Sequence, residues 1–193
     1  MRRGFKAWCE RTSAEYRQAL GVSSEEALAP RALAAFLRVR VATPQDFPLL
    51  SYKSLQQLTV ADPDSWSAIT VSQGGINLVI LNSSQPITRQ TNSLVHELAH
   101  IILNHKTDDA QVSAEGILFR AQFNKEQEDE AAWLAGCLLV PAEGLLDAYR
   151  WTRAPRLLAE QFGVSEPLLE WRLRMTGVQK RMARVRRSSK TGR

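Results

Sequence analysis

Residues 94–103, "LVHELAHIIL", constrain the fold of this chain more than any other segment because seven of the ten are apolar. A helix that is apolar around its whole circumference is a buried helix. Three ionisable side chains interrupt the run, those of His96, Glu97 and His100, and burying them lowers stability unless a partner satisfies them. We therefore expect a buried helix that carries a polar site.

The spacing of these three residues indicates the chemistry of that site. His96 and His100 are four residues apart, so both imidazoles lie on one face of a helix and can reach one metal ion. Glu97 lies about 100° around the helix from His96, where its carboxylate can reach a water bound to that ion. This H-E-x-x-H pattern predicts a zinc site with Glu97 as the catalytic base. The alternative is a buried helix whose histidines bond to neighbouring carbonyl groups.

A catalytic zinc ion needs a third protein ligand, and His105 is the remaining histidine of the chain. It follows His96 by nine residues, which on a continued helix corresponds to the opposite face. We therefore expect His105 to lie behind the ligands or at the surface rather than to bind the metal.

The segment "NKEQEDEAAWLAGCLLVP", residues 124–141, is a better source of the third ligand. Its small residues allow close packing against the first helix, and Glu128 shares a helical face with the alanines at positions 131, 132 and 135. We predict Glu128 as the third ligand, with Glu130 as the fallback. An acidic helix N-terminus favoured by the helix dipole would explain the same cluster without a metal.

The remaining pattern predicts an α+β fold that is mostly helical. "WSAITVS" and "INLVILN", separated by "QGG", predict a β-hairpin and hence a small antiparallel β-sheet. The helix with the two histidines is expected to begin near Leu94, capped by Thr91 or Ser93, and to end near Leu103 or Asn104. Further helices are predicted at about 1–20, 30–39, 126–139, 154–163 and 165–175.

Cysteine content and hydropathy bear on the compartment. The two cysteines, Cys9 and Cys137, are too few for a disulfide scaffold and fit a reducing environment. No apolar run approaches the ~20 residues of a membrane span, and "MRRGFKAWCE" lacks the apolar segment of a signal peptide. We expect a soluble cytoplasmic protein with no membrane partner.

Basic residues are concentrated at the C-terminus. Nine of the 25 Lys and Arg residues lie between Arg172 and Arg193, where no Asp or Glu occurs, so the rest of the chain carries 16 basic against 20 acidic side chains. This tail is therefore the part of the chain from which non-specific contact with nucleic-acid phosphates is expected. A flexible solubilising end is the alternative.

The segment before the tail, "LAEQFGVSEPLLEWRLR", has the pattern of a helix-turn-helix, with a turn at Gly163 and Ser165 as a cap. DNA binding is one interpretation. Packing against the protein body is the other, and we favour it because Leu168, Leu169 and Trp171 are apolar where a groove-reading helix would expose polar side chains.

Taken together, "INLVILN…TRQTNSLVHELAHIILNH" and "EDEAAWLAGCLLVP" resemble the ImmA/IrrE family of bacterial and phage metallopeptidases. The resemblance extends from about residue 5 to residue 178. It implies a zincin-like fold and one Zn²⁺ ion bound by His96, His100 and Glu128, with Glu97 as the base. Departures from the family pattern change packing positions and leave these four residues in place; they lie at Ala132, Leu134, Cys137 and Val140.

The resemblance also implies a substrate, a helix-turn-helix transcriptional repressor whose cleavage releases genes for stress response, phage defence or mobile-element transfer. It implies a bacterial or phage-encoded protein. Substrate is expected to add to an edge strand beside the metal helix. The residues predicted for that strand are Ile76, Asn77, Leu78, Val79, Ile80, Leu81 and Asn82.

We predict a metallopeptidase domain over residues 1–177, with residues 155–177 forming the helix-turn-helix-like pair, and a basic flexible tail over residues 178–193. The alternative function is a regulatory DNA- or protein-binding module on a zincin scaffold with weak or no proteolysis. The intact H-E-L-A-H sequence favours the enzyme.

Overall fold

The computed structural model describes residues 1–105, 111–112, 118–119 and 124–183. The α-helices in these ranges are α1 Phe5–Leu20, α2 Pro30–Phe36, α3 Tyr52–Gln56, α4 Ile87–Ile102, α5 Lys125–Leu139, α6 Ala142–Trp151, α7 Pro155–Phe162 and α8 Glu166–Thr176. The strands are β1 Arg40–Ala42, β2 Ala68–Gln73, β3 Ile76–Leu81, β4 Gln111–Val112 and β5 Leu118–Phe119. The last ten residues of the predicted tail lie outside the described residues.

The fold is α+β, as predicted, with a small mixed sheet among many helices. The chain divides into two compact units, one of residues 1–3 and 29–135 and the other of residues 4–28 and 136 onward. Among the described residues, no single helix has both the length and the apolar composition to cross a membrane; α5 and α6 meet that test only when counted together as a bent pair.

The first unit contains a three-stranded sheet in the order β1–β3–β2. β2 and β3 form the predicted antiparallel hairpin, in register from Ala68 opposite Leu81 to Gln73 opposite Ile76. The two-residue turn consists of Gly74, with φ 58°, and Gly75, with φ 79°. Positive φ angles at both positions favour glycine in this type of turn. β1 pairs with β3 in parallel, so the sheet is mixed rather than purely antiparallel.

The prediction that Ile76–Asn82 forms an edge strand was wrong. β3 is the central strand: β1 pairs with residues 78–80 on one side and β2 pairs along its whole length on the other. The sheet edges are therefore β1 and β2. A three-residue strand such as β1 is too short to show a period-two pattern, so its pairing could not be anticipated from the sequence.

Helix α4 begins at Ile87 with Pro86 as its N-cap, seven residues before the predicted start near Leu94. Its first two turns are polar after Ile87 and contain no buried residue, so they carry little of the apolar signal on which the prediction depended. The predicted capping by Thr91 or Ser93 was therefore wrong. The buried part of the helix contacts β2, β3 and α2, and its buried residues are Leu94, Val95, Glu97, Leu98, Ala99 and His100.

The second unit is built from α1, the end of α5, and α6 to α8. The sequence predicted its last two helices correctly: Gly163 has φ 66° in the turn, and Ser165 Oγ accepts a hydrogen bond from the backbone N–H of Leu168. Helix α6 was not predicted; Pro141, two residues after the end of α5, is its N-cap. Residues 178–183 are also helical.

The side chain of Arg17 connects separate segments of the second unit through hydrogen bonds. Its side chain is buried and donates hydrogen bonds to the carbonyl groups of Leu138 and Leu139, which end α5, and to those of Ser23 and Glu26. Burial lowers the pKa of Arg17 to about 10, so its guanidinium remains charged at neutral pH. The carbonyl groups that a helix end leaves without partners are thus satisfied by a charged donor.

Candidate metal centre

The structure brings the three predicted ligands together. His96 Nε2 lies 3.0 Å from Glu128 Oε2, and His100 Nε2 lies 3.1 Å from His96 Nε2 and 3.5 Å from Glu128 Oε1. One ligand atom from each residue falls within 4.8 Å of the other two. Among the described residues, this is the group of histidine, cysteine and acidic side chains with spacing suited to a metal ion.

The chemistry of this donor set fits zinc. Ligand atoms about 2.0–2.1 Å from a tetrahedral zinc ion lie roughly 3.3 Å from each other, close to the separations seen here. Two imidazoles and one carboxylate form the His₂Glu set of catalytic rather than structural zinc sites. The side chains of His96 and Glu128 are 24% and 22% exposed, whereas that of His100 is 6% exposed. The donors can therefore be reached from solvent on the side of His96 and Glu128.

Glu128 reaches this position because it lies in the first turn of α5. Asn124 caps that turn, its Oδ1 atom accepting hydrogen bonds from the backbone N–H groups of Glu126 and Gln127. Ala131 and Ala135, which share the face of Glu128, are buried, as the prediction requires. Ala132 is exposed instead, so the face is narrower than the sequence suggested.

Glu97, the predicted base, is 5% exposed on α4. Its Oε2 atom accepts a hydrogen bond from Oγ1 of Thr70 on β2. Sequence reasoning did not single out Thr70. Strand alternation puts it on the same face of β2 as Ala68 and Ser72, but the sequence does not say that this face meets α4.

His105 lies behind His100. Its Nδ1 atom is 3.0 Å from His100 Nδ1, and its Nε2 atom is 3.5 Å from Glu130 Oε2. His105 thus lies behind a ligand and not in the donor group, as expected. A turn rather than a continued helix places it there, because α4 ends at Ile102 and Asn104 has φ 52°. Burial lowers the pKa of His105, an effect that the hydrogen bond and charge of Glu130 partly oppose.

Glu130, the fallback ligand, faces His105 and is not part of the donor group around His96. Glu128 and Glu130 are two residues apart on α5, so a helix points their carboxylates in different directions. The structure thus gives the two carboxylates different neighbours, the metal donors for one and the histidine behind them for the other.

Comparison with known proteins agrees with this geometry. The model of a peptidase family, described as the IrrE N-terminal-like domain, matches residues 51–174, which include the hairpin, α4 and α5. The chain belongs to this family. The resemblance to ImmA/IrrE proteins is therefore confirmed, and the IrrE-like peptidases are in general zinc-dependent.

A solved structure shows the same fold in a larger protein. A Mycobacterium tuberculosis transcriptional regulator is similar over 88% of this chain, with a TM-score of 0.54 and 16% sequence identity. This IrrE-like chain spans 46% of the length of that regulator. No curated protein shows a significant sequence match.

Proposed function

We propose that this IrrE-like chain is a zinc-dependent endopeptidase. The observation that carries the proposal is the convergence of His96, His100 and Glu128 on one partly exposed point. The Glu97 carboxylate lies on α4, the helix that carries both histidines. A buried helix whose histidines merely bond to carbonyl groups would not require a carboxylate from α5 within 3.0 Å of a histidine nitrogen.

The donors His96, His100 and Glu128 would hold the zinc ion, which when bound supplies Lewis-acid activation of water and of the peptide carbonyl. Glu97 accepts the proton that the attacking water loses as its oxygen bonds to the carbonyl carbon. Glu97 then delivers that proton to the leaving nitrogen as the C–N bond breaks, so one water is consumed and one new amine and one carboxyl group form. Thr70 orients the Glu97 carboxylate through its hydroxyl.

Substrate is proposed to add as an extended strand to β2 rather than to β3. β2 is an edge of its sheet and contacts α4, whereas β3 is enclosed by its two neighbours. Main-chain hydrogen bonds from an exposed strand edge supply affinity without demanding a particular substrate sequence. Because Thr70 lies on β2, a bound segment would run beside Glu97.

The proposed protein substrate is a helix-turn-helix repressor. The resemblance to ImmA/IrrE proteins implies this substrate, and a related fold in a transcriptional regulator is compatible with it. The cleavage would take place in the bacterial cytoplasm and release stress, phage-defence or mobile-element genes.

The alternative in which α8 reads DNA has less support. Leu169, Arg172 and Leu173 of α8 are buried, and the exposed positions in its first half include Glu166 and Glu170. Carboxylates on the presented face would repel the phosphate backbone. A regulatory module without proteolysis would also have no use for the base Glu97.

Two assays test the proposal. Zinc-loaded protein is incubated with a proteome-derived peptide library, and separately with helix-turn-helix repressors encoded beside its own gene. We expect new peptide termini in the first assay and one repressor fragmented at a single bond in the second, with both lost in Glu97→Gln. Zinc-loaded wild type that cuts neither a library peptide nor a repressor refutes the peptidase; cleavage of library peptides alone refutes only the repressor as substrate.

The matched control is Glu170→Gln, which removes an exposed carboxylate on α8 and leaves the metal donors intact. It should cleave as wild type does. Equal loss of cleavage in both variants would show that charge removal as such, rather than the base, is responsible.

A further inference from the structure

A chain of close polar contacts continues from the metal donors into the protein. His100 presents Nε2 to the donor group and Nδ1 to His105, at 3.0 Å between the two Nδ1 atoms. His105 in turn presents Nε2 to Glu130 Oε2 at 3.5 Å. The side chains of His105 and Glu130 are 8% and 16% exposed, so these contacts are largely shielded from water.

The positions of the protons in this chain follow one from another. A neutral imidazole that binds a metal through Nε2 carries its proton on Nδ1. His100 must then donate from Nδ1, and His105 must accept at its own Nδ1. A neutral His105 therefore carries its proton on Nε2, the atom that faces the Glu130 carboxylate. Only one tautomer of each ring is compatible with all three contacts.

We propose that His105 and Glu130 are positioning residues that fix the tautomer and orientation of His100 and so preorganise the metal site. This inference rests on zinc binding by His96, His100 and Glu128. A carboxylate at the end of such a chain also makes the ligand nitrogen more basic, and partners of this kind typically contribute 10- to 100-fold to metal affinity.

The local backbone is built to place His105. The helix ends at Ile102, Asn104 adopts φ 52°, and the His105 N–H donates to the carbonyl of His100 at 3.0 Å. Asparagine is one of the few residues that tolerate a positive φ. This turn ends the helical path directly after α4 and places the His105 ring next to that of His100.

The first test uses the unmodified protein. Two-bond ¹H–¹⁵N spectra of histidine side chains in the zinc-loaded protein identify each tautomer directly. We expect a proton on Nδ1 of His100 and on Nε2 of His105. A His105 that is protonated on Nδ1, or doubly protonated at neutral pH, overturns the proposal.

The second test measures zinc affinity by competition with a chromophoric chelator. His105→Phe keeps a ring of similar size but removes the acceptor, and should bind zinc 10- to 100-fold more weakly. Glu130→Gln keeps an acceptor oxygen without the charge and should show a smaller loss. Asp129→Asn, an adjacent exposed carboxylate on α5, should retain wild-type affinity.

The thermal transition of the metal-free protein is recorded for each variant, so that misfolding is separated from loss of preorganisation. Wild-type zinc affinity in a folded His105→Phe protein overturns the inference and leaves the proposed peptidase standing. If the wild type does not bind zinc, both the inference and the proposed zinc peptidase are refuted.

Discussion

Oγ1 of Thr70 on β2 donates a hydrogen bond to Oε2 of Glu97 on α4. Both side chains are buried, at 8% and 5% exposure, so the bond is formed in a medium that screens charge weakly. A hydrogen bond to a charged acceptor contributes about 1.5–3 kcal/mol. The edge strand proposed to bind substrate and the proposed base are therefore coupled directly.

Replacing Thr70 should impair catalysis more than substrate binding. Thr70→Val preserves shape but removes the donor, and we expect kcat to fall about 10- to 100-fold, the kinetic equivalent of that bond. Thr70→Ser keeps a hydroxyl and should recover most of the rate. Steady-state kinetics on a peptide from the library assay measure both; a Thr70→Val enzyme with wild-type kcat would show that Glu97 needs no such support.

The metal donors can be identified by stoichiometry. Purified wild type should hold about one zinc per chain. His96→Ala, His100→Ala and Glu128→Gln should each lose most of it because three protein ligands are required, and Glu130→Gln should keep it. Elemental analysis after gel filtration provides the measurement. If Glu128→Gln retains zinc and Glu130→Gln loses it, the third ligand is Glu130 and not Glu128.

Zinc should stabilise the fold, since binding to the native state alone adds about 4 kcal/mol at a free concentration 1,000 times Kd. Ligand imidazoles and carboxylates must be deprotonated to bind, so protons compete with the metal. We expect the rise in Tm on adding zinc to shrink as the pH is lowered from 7.5 toward 5. A Tm difference that does not change over this range would argue against histidine ligands.

Arg17 should dominate the stability of the second unit. Arg17→Met leaves the carbonyl groups of Leu138 and Leu139 buried without their charged donor, and we expect a loss of about 3 kcal/mol or more in the free energy of unfolding. Arg11→Met, at an exposed position on the same helix, should change it by less than about 0.5 kcal/mol. Urea denaturation compares the two, and equal effects would contradict the role given to Arg17.

The basic C-terminus is proposed to make any non-specific contact with nucleic acid. Residues 184–193 carry five Lys and Arg residues and no acidic ones. Removing them should weaken binding to random-sequence duplex DNA and flatten the plot of log K against log salt, by about 0.9 for each phosphate that the protein no longer neutralises. Fluorescence anisotropy at several salt concentrations measures both. An unchanged slope would show that the tail does not contact the phosphates.

The local parts of the site were readable from the sequence. His96, Glu97 and His100 lie within one helical turn or so, and the geometry of an α-helix alone places two imidazoles on a common face. Glu128 could be proposed because buried alanines follow it at helical spacing. The hairpin and the last two helices carry their own turn and capping residues, Gly74, Gly75, Gly163 and Ser165, which act over a few residues.

Tertiary structure decided what surrounds that site. The parallel pairing of β1 made β3 central and left β2 as the edge beside Glu97, a choice made by contacts between segments about forty residues apart. Thr70 has no distinguishing sequence pattern, and its role depends on which face of β2 meets α4. His105 could be expected behind the ligands, but its contact with His100 depends on the left-handed conformation of Asn104 after the helix ends. The sequence by itself determined how His96, Glu97 and His100 lie relative to one another, because helical periodicity is a local property. The fold placed Thr70 beside Glu97 and Glu130 beside His105, because strand order and helix packing depend on partners distant in the chain.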